Sequence, residues 1–467
     1  MNKVVSSIKE AVRLAGVKDG MTVSFHHHLR NGDYVLNMVM EAIAELGIKN
    51  LTVNASSVFD AHEPLIGHIK NGVVTGLEAN YIGGVVGRAI SHGVLDKPVT
   101  FRTHGGRPAA IESGEAHIDV AFIAAPTSDT MGNCTGKYGK AACGSMGYAF
   151  ADAMNADKVV VITDHLVPYP LTDFSISEIY VDYVVQVESI GNPAGIVSGT
   201  TKITRDPVGL VMAQYAAKVI ENSGLLKDGM SFQTGAGGAT LAAAKYLKDI
   251  MLKKNIKGSY GLGGITSYMV DMLNAGCFEA LLDVQCFDLG AVESIRTNPR
   301  HREVTATHYA SPNAKSSAVD SLDVVLLGAT QIDTDFNVNV HTDSNGYIMG
   351  GSGGHSDTAA GAKLAMIIAP LTRARLSIVT DHVLTVSTPG STIDVLVTQR
   401  GIAVNPARAE LRDQLKAAGL PIVEIGELKR IAEELTGKPQ PIHLGSKTVA
   451  NVIYRDGTLL DTIKSVD

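Results

Sequence analysis

A short motif that recurs far along the chain constrains the fold more than any other feature of the sequence. Lys-Asp-Gly-Met occurs at 18–21 and again at 227–230, and each copy leads into an apolar run typical of a β-strand. Because three matches occur in the same order, they predict two tandem domains of similar fold. The other two are an Asp-Val pair that opens an apolar run, at 119 and 323, and a Thr-Asp-His that follows one, at 163–165 and 380–382.

The segments between these motifs have the pattern of an α/β protein. Helical patterns at 34–46 and 145–156 alternate with short β-branched runs. The runs at 159–163 and 323–327 do not alternate between apolar and polar residues, which is typical of strands buried on both faces of a parallel sheet. The sequence therefore predicts an α/β fold of two tandem similar domains with mostly parallel sheets and flanking helices. The β-branched runs lie at 21–25, 51–54, 118–124 and 158–163.

The predicted junction between the domains lies near 190–208, where glycine and proline break the periodic patterns. We assign residues 1–200 to a first α/β domain and residues 201–467 to a second, because 467 residues are too many for one hydrophobic core. Two such domains should face each other across a cleft, where ligands usually bind.

Charge and composition exclude several classes of function. The chain has 40 Lys and Arg against 47 Asp and Glu, a net charge of -7, so no overall field attracts nucleic acid or an anionic membrane. No apolar run reaches the roughly 18 residues of a membrane span. The 4 cysteines lack C-x-x-C spacing, which indicates free thiols in a reducing compartment. We expect a cytoplasmic protein that binds neither nucleic acid nor a membrane.

Three glycine-rich segments in the second half are candidates for anion binding, because each follows a predicted strand and precedes a predicted helix. Backbone N–H groups there can approach an anion, and a helix N-terminus adds partial positive charge. The alternative for each segment is a tight turn. None has the G-x-G-x-x-G or P-loop pattern, which disfavours a nicotinamide enzyme or a P-loop nucleotidase. The segments are 235–238, 261–264 and 350–354.

The last glycine segment also fits G-x-S-x-G, the nucleophile elbow of serine hydrolases, with Ser352 as the nucleophile and Asp381 and His382 downstream. An aspartate directly before its histidine would point away from it on a strand. A segment this rich in glycine also satisfies the pattern easily. The hydrolase is the alternative from a different reaction class.

Three consecutive histidines end the first predicted strand. Alternation along a strand places His26 and His28 on one face and His27 on the other. Together with the fork-shaped guanidinium of Arg30, they are candidates for a cationic pocket that binds carboxylates. The alternatives are a structural histidine cluster and a metal site. No third metal ligand is indicated by nearby spacing, so we predict no metal.

Five stretches of the chain resemble the CoA-transferase superfamily, and most closely its citrate lyase alpha subunit family. The resemblance runs essentially from end to end. It implies a CoA-transferase-like fold and an enzyme that exchanges acetyl for citryl on a carrier thiol, with release of acetate. The stretches are 18–28, 125–133, 296–301, 328–333 and 351–357.

The resemblance also has consequences for the mechanism. In the ordinary branch of the superfamily, a glutamate in a Glu-Leu-Gly segment attacks the thioester and carries CoA covalently. Here the similar place is Gly261-Leu262-Gly263, with glycine where the nucleophile would stand. The citrate lyase branch instead implies a ternary complex, in which a citrate carboxylate attacks the acetyl thioester and a mixed anhydride forms.

The last glycine segment resembles the Gly-x-Gly-Gly motif of the superfamily, and the candidate site follows from it. We expect backbone donors for the developing oxyanions, and a histidine near the reacting carbonyl at a helix N-terminus. The candidate catalytic residues are His355, Gly353, Gly354, Gly237 and Gly238. The candidate substrate-binding residues are His26, His28, Arg30, Gly261, Gly263, Gly264, Asn133, Gly351 and Ser352.

The family further implies substrates and partners. The thiol substrate is CoA or a phosphoribosyl-dephospho-CoA arm on an acyl carrier protein, the gamma subunit, which enters as acetyl-CoA or acetyl-carrier protein. A separate beta subunit cleaves the citryl thioester, so we expect an oligomer. A stand-alone CoA-transferase for another small carboxylate and a citramalate lyase alpha subunit are the alternatives within the superfamily.

Overall fold

A computed structural model describes residues 3–197 and 202–467, which form two large and mostly parallel sheets flanked by helices. The strands before residue 198 are β1 Val4–Val5, β2 Thr22–Phe25, β3 Leu51–Ala55, β4 Val74–Ala79, β5 Val99–Phe101, β6 Val120–Ala125, β7 Thr127–Asp129, β8 Cys134–Thr135, β9 Lys158–Thr163, β10 Leu166–Val167 and β11 Tyr183–Gln186. The strands after residue 201 are β12 Phe232–Thr234, β13 Gly258–Ile265, β14 Phe278–Cys286, β15 His301–Glu303, β16 Val324–Leu327, β17 Gln331–Asp333, β18 Val338–Asn339, β19 Leu364–Ile368, β20 Thr372–Arg373, β21 Leu376–Ser377, β22 Val379–Thr380, β23 Val395–Thr398, β24 Gly401–Val404, β25 Leu444–Ile453 and β26 Leu459–Val466.

The helices cover the sheets and connect their parallel strands. They are α1 Ile8–Leu14, α2 Val35–Glu45, α3 Pro64–Lys70, α4 Gly84–Ser91, α5 Gly106–Glu112, α6 Ala149–Asn155, α7 Pro207–Asn222, α8 Gly238–Lys254, α9 Ser267–Asn274, α10 Leu289–Thr297, α11 Ala306–Ala310, α12 His355–Gly361, α13 Ala409–Ala417 and α14 Ile425–Thr436. No helix in these two ranges combines the length and the apolar character that crossing a membrane requires.

The two large sheets share one strand order. The first runs β1-β11-β9-β6-β2-β3-β4-β5-β25-β26 and the second runs β24-β23-β19-β16-β12-β13-β14-β15. Aligning β2 with β12 matches every strand from β11 to β5 with one from β23 to β15. The small sheets β10-β7-β8 and β22-β17-β18 correspond as well. The predicted α/β fold of two similar halves is confirmed.

The repeated sequence motifs occupy equivalent places in both halves, with one exception. Asp119 accepts the backbone N–H of Thr22 at 2.7 Å, and Asp323 accepts that of Ser231 at 2.9 Å. Each carboxylate thus fastens the start of the central strand to its neighbour. Thr-Asp-His is the exception, because its first copy follows β9 whereas its second follows β22. The two copies of Thr-Asp-His therefore occupy different places in the two halves, and this sequence match does not arise from the repeated fold.

The C-terminal hairpin crosses from the second half to the first. β25 pairs in parallel with β5, with Ala450 opposite Val99, and β26 completes the edge of the first sheet. The predicted division gives these residues to the second domain, but they extend the first sheet. The division at residues 200 and 201 itself falls in the segment 198–201, outside the described residues, and stays a prediction.

A buried ion pair fixes α5 and α6 against β3. The Arg107 guanidinium donates to both carboxylate oxygens of Asp152, at 2.6 and 2.8 Å, and its Nε donates to the Asn54 side chain at 2.7 Å. Both charged side chains are almost fully buried. Removing either one would leave the other charge uncompensated in the interior.

Candidate functional site

The two halves meet at the carboxyl ends of their parallel strands. The three histidines directly follow β2, and Gln285, near the end of β14, donates its side-chain N–H to the carbonyl of His27 at 3.1 Å. Ligands of open α/β sheets bind outside the carboxyl ends of the strands. The region around these histidines is therefore the candidate site, and we call it the crevice.

The crevice histidines are buried, and burial sets their charge. Nδ1 of His26 lies 2.5 Å from Nδ1 of His28, while Nδ1 of His27 pairs with the Ser56 hydroxyl at 2.6 Å. The three histidines lie after the strand and not in it, and the His27 ring stacks on that of His28 with 6.0 Å between their centroids, so the predicted separation of His27 from the other two is not observed. Loss of solvation lowers the pKa of His26 to about 4 and holds the pKa of His28 well below its usual value. Both rings are neutral near pH 7, so the predicted cationic pocket depends on Arg30 rather than on the histidines.

Hydrogen bonds within the protein engage both rings. Nε2 of His26 accepts the backbone N–H of Ala124 at 2.9 Å, and Nε2 of His28 accepts the backbone N–H of Tyr148 at 3.3 Å. The two Nδ1 atoms face each other. His28 therefore ties the segment after β2 to the residue that precedes α6.

Aromatic rings surround Arg30 and the histidines. The Arg30 guanidinium lies 5.0 Å from the ring centroid of Phe287 and 5.7 Å from that of Phe59. The Tyr148 ring lies 4.4 Å from His104 and 4.8 Å from His27. Burial lowers the pKa of Arg30, which nevertheless remains a permanent cation beside these rings. A carboxylate beside it would be partly desolvated and strongly attracted.

The three glycine segments converge on this crevice through Gln233 and Tyr309. Gln233 Nε2 donates to the Tyr309 hydroxyl at 3.0 Å. A Cβ on Gly263 would stand 2.7 Å from the Gln233 amide, and a Cβ on Gly354 would stand 2.3 Å from the Tyr309 oxygen. The first segment directly follows β12, which carries Gln233, and Gly237 caps α8. These contacts bring parts of the three segments close together.

The middle glycine segment lies in a strand, whereas the sequence predicts a loop between a strand and a helix. Gly261, Gly263 and Gly264 lie inside β13, with a β-bulge between the last two. A Cβ on Gly261 would stand 2.5 Å from Met269, which makes this glycine a packing residue between strand and helix. A Cβ on Gly264 would likewise collide with the Phe287 ring, so glycine at this position leaves room for that ring. Sequence periodicity missed the strand because glycine carries no apolar signal.

The last glycine segment joins the second half to the first. The carbonyl of Gly353 accepts the backbone N–H of His104 at 2.8 Å, and Gly353 has a φ of 52°. A Cβ on Gly351 would stand only 2.1 Å from the carbonyl oxygen of Asn80. The backbone therefore approaches the first half more closely than any side chain would allow. Gly237 and Gly238 lie on the opposite segment, at the start of α8.

His355 is the first residue of α12, as predicted, but its ring is occupied. Nε2 donates to the carbonyl of Gly328 at 2.9 Å, and Nδ1 pairs with the Thr388 hydroxyl at 2.7 Å. Burial lowers the pKa of His355 to about 4. A neutral ring with both nitrogens engaged holds the segment in place, and it has no free atom for a reacting carbonyl.

Ser352 and Asn133 are likewise engaged within the protein. The Ser352 hydroxyl pairs with that of Ser356 at 2.8 Å, and the neighbouring His341 accepts the backbone N–H of Ser352 at 3.3 Å and not its hydroxyl. Asp381 and His382 instead line a separate cavity of about 1000 Å³. The described residues therefore do not provide Ser352 with the histidine and aspartate arrangement that a serine hydrolase needs. The Asn133 amide donates to Asp129 at 2.8 Å and accepts from the backbone N–H of Glu178 at 2.9 Å, which fastens a loop.

A second group of ionisable side chains lies outside the crevice. Asp283 accepts from His301 Nε2 at 2.9 Å and from Cys286 Sγ at 3.0 Å, and all three are buried. These residue types could hold a metal ion. The two distances to Asp283 are those of hydrogen bonds, and these bonds hold the three side chains together.

Sequence reasoning missed four residues of the crevice: Gln233, Tyr309, His104 and Tyr148. Two of them have buried polar atoms without a partner among the described residues, namely Oε1 of Gln233 and Nδ1 of His104. Gln233 and His104 could have been suspected, since they lie at or shortly after the ends of strands β12 and β5. Nothing in the sequence marks Tyr148 or Tyr309.

Comparison with known proteins identifies relatives over the whole chain. The sequence model of the family described as "Citrate lyase, alpha subunit (CitF)" matches residues 1–466. The citrate lyase alpha chain of Klebsiella pneumoniae is 50% identical over 464 residues, covering 99% of this chain and 91% of the relative. That of Escherichia coli strain K12 is 49% identical over 464 residues, with the same coverage of 99% and 91%.

Solved structures agree with these relatives. One from Streptococcus mutans, described as the putative alpha subunit of citrate lyase in complex with citrate, is 50% identical. It superposes with a TM-score of 0.98 and covers 100% of this chain and 92% of that chain. The malonate decarboxylase alpha subunit of Acinetobacter baumannii shares the fold alone, with a TM-score of 0.70 at 16% identity, covering 93% of this chain and 89% of that chain. By sequence over its full described length and by structure, this chain belongs to the citrate lyase alpha subunit family.

Proposed function

We propose that this chain is the citrate CoA-transferase of citrate lyase, which exchanges acetyl for citryl on a carrier thiol and releases acetate. The observation that carries the proposal is membership of the family over residues 1–466, together with a close structural relative described as a complex with citrate. The crevice supports it, because it combines a buried guanidinium, a cluster of neutral histidines and glycine backbone at the junction of the two halves.

The reaction needs no nucleophile from the protein. A citrate carboxylate attacks the acetyl thioester carbonyl, the C–S bond breaks, and acetyl citrate anhydride and a thiolate form. The thiolate then attacks the citryl carbonyl and expels acetate. No proton is gained or lost overall, since a carboxylate and a thioester become another carboxylate and thioester. The enzyme must align the reactants and stabilise two oxyanions.

The residues of the crevice have chemistry suited to these tasks. Arg30 is the proposed partner of a citrate carboxylate, and the neutral rings of His26 and His28 are proposed to line the same pocket. The backbone of Gly237, Gly238, Gly353 and Gly354 is proposed to line the path of the thioester. The place similar to that of the superfamily's nucleophilic glutamate is occupied by Gly261, which supports direct reaction over a covalent enzyme thioester.

The carrier and the partners are proposed from the family. The thiol is CoA or the phosphoribosyl-dephospho-CoA arm of an acyl carrier protein, which enters as a substrate. A beta subunit then cleaves the citryl thioester. We propose that the chain works within an oligomer of these subunits.

Isotope transfer in a single turnover tests the mechanism directly. Enzyme in excess is mixed with acetyl-CoA and citrate whose carboxylates carry ¹⁸O, and the acetate is analysed by mass spectrometry. In the ternary complex the bridging anhydride oxygen comes from citrate, so the first acetate should contain one ¹⁸O. A covalent enzyme thioester would give unlabelled acetate in that turnover, because its oxygen would come from a protein carboxylate.

Two controls complete the experiment. Omitting citrate should stop acetate release, whereas a hydrolase would continue and would incorporate oxygen from water. Offering citramalate, malate and labelled acetate in place of citrate ranks the acceptors. A preference for citramalate over citrate would reassign the chain within the superfamily.

A further inference from the structure

One buried polar atom in the crevice has no hydrogen-bond partner among residues 3–197 and 202–467. Oε1 of Gln233 is buried and accepts no hydrogen bond from the described residues, although the side chain is only 8% exposed. Leaving a buried acceptor unpaired is costly, and native proteins keep few such groups. An unpaired acceptor at the junction of the two halves therefore indicates a ligand.

The orientation of this amide is fixed by its other end. Nε2 of Gln233 donates to the Tyr309 hydroxyl at 3.0 Å, so the oxygen is turned to the remaining side. Gln233 lies in β12, one residue before the strand ends and two residues before the first glycine segment begins. The acceptor is thus held in one direction near the carboxyl end of β12.

The neighbouring strand is distorted to make room for the same amide. Gly263 has a φ of +97° at the bulge in β13, and a Cβ there would stand 2.7 to 2.9 Å from the three outer atoms of the Gln233 side chain. Glycine is therefore needed at this position on two grounds, its φ and its closeness to the amide. A strained glycine beside an unpaired oxygen is unexpected in a site built only for stability.

The chemistry of the proposed substrate decides what this acceptor binds. Near pH 7 the three carboxylates of citrate are ionised and can only accept hydrogen bonds. The hydroxyl group is the one donor on the molecule. We propose that Gln233 accepts a hydrogen bond from the hydroxyl of a hydroxy-tricarboxylic acid and is a specificity-determining residue of this transferase. This inference rests on the proposed function.

The test compares citrate with propane-1,2,3-tricarboxylate, which has the same three carboxylates and no hydroxyl. Both acids are offered to the intact protein with acetyl-CoA, and kcat/KM is measured for each; affinities are measured in parallel by calorimetry. The wild type should prefer citrate by about 10- to 100-fold, the range expected when a buried acceptor loses its partner. In Gln233→Met the preference should fall towards one, because methionine has similar volume and no acceptor.

Gln233→Glu is the matched variant, since its carboxylate can still accept from the hydroxyl. It should bind both acids more weakly, because it adds a negative charge, yet it should keep the preference for citrate. A ratio of the two acids is insensitive to loss of folded protein, which affects both equally.

The outcomes separate this inference from the proposed function. If the wild type transfers to citrate but Gln233→Met keeps the full preference, the inference is wrong and the function stands. If Gln233→Met instead raises KM for acetyl-CoA with no change in the ratio, the acceptor binds the thioester arm and the inference is also wrong. If the wild type neither binds nor uses either acid, the proposed function fails with it.

Discussion

Replacing Gly351 by alanine should push the last glycine segment away from the first half of the protein. The added Cβ would stand 2.1 Å from the carbonyl oxygen of Asn80 and 2.8 Å from Cα of Tyr81. Both neighbours are backbone atoms that cannot rotate away. Relief of the clash needs a separation of roughly 1 Å, because nonbonded carbon and oxygen atoms sit well above 3 Å apart.

Two magnitudes follow from that displacement. Overpacking of a close contact costs about 1–3 kcal/mol of unfolding free energy. A displacement of about 1 Å at a reacting centre can lower kcat by roughly 10²-fold. We expect Gly351→Ala to show both effects, with the loss of kcat exceeding what the loss of folded protein explains.

The assay pairs urea denaturation with acetate release from acetyl-CoA and citrate. Gly67→Ala is the control, because this glycine lies in α3 and a Cβ there meets no atom within 4 Å. That variant should gain up to about 1 kcal/mol from helix propensity and keep its kcat. The reasoning is refuted if Gly351→Ala unfolds like the wild type and turns over at the wild-type rate.

Three further predictions follow from buried contacts. Arg107→Met should lower the free energy of unfolding by about 3–5 kcal/mol in urea, since it strands the Asp152 charge; a loss below about 1 kcal/mol would contradict this. Burial raises the pKa of Asp357 to about 6, above the value of about 3.9 in an unfolded chain, so its contribution to stability is present below pH 4 and lost as pH rises through 6. The free energy of unfolding of the wild type, relative to that of Asp357→Asn, should therefore rise by up to about 3 kcal/mol from pH 7 to pH 4. A difference between the two proteins that does not change with pH would contradict this reasoning. His28→Asn should lower the free energy of unfolding by about 1–3 kcal/mol in urea, because its shorter amide leaves the backbone N–H of Tyr148 without an acceptor, whereas His28→Gln, whose amide oxygen reaches the Nε2 position, should lose less; equal losses would count against this hydrogen bond.

The fold was predictable because its signals are local. The strand expected at 158–163 is observed as Lys158–Thr163, and the helix expected at 34–46 as Val35–Glu45. Both depend on periodicity within one element. The tandem arrangement was predictable for a related reason, since Asp119 and Asp323 fasten equivalent strands and therefore recur in the sequence.

The site was predictable only in outline, because its chemistry depends on partners distant in the chain. The neutral state of His26 follows from burial, which the sequence does not show. The occupied ring of His355 depends on Gly328 and Thr388, and the free oxygen of Gln233 depends on Tyr309. Residue type and spacing indicated which segments gather, but not which atoms remain available to a ligand.

The crossing of β25 and β26 onto β5 has a consequence for the order in which the molecule matures. During synthesis, the edge of the first sheet stays unpaired until residues 444–466 leave the ribosome, so the N-terminal half emerges with an open strand that invites wrong pairing. A segment made after the second sheet thus completes the first sheet, and the two halves reach their final form together.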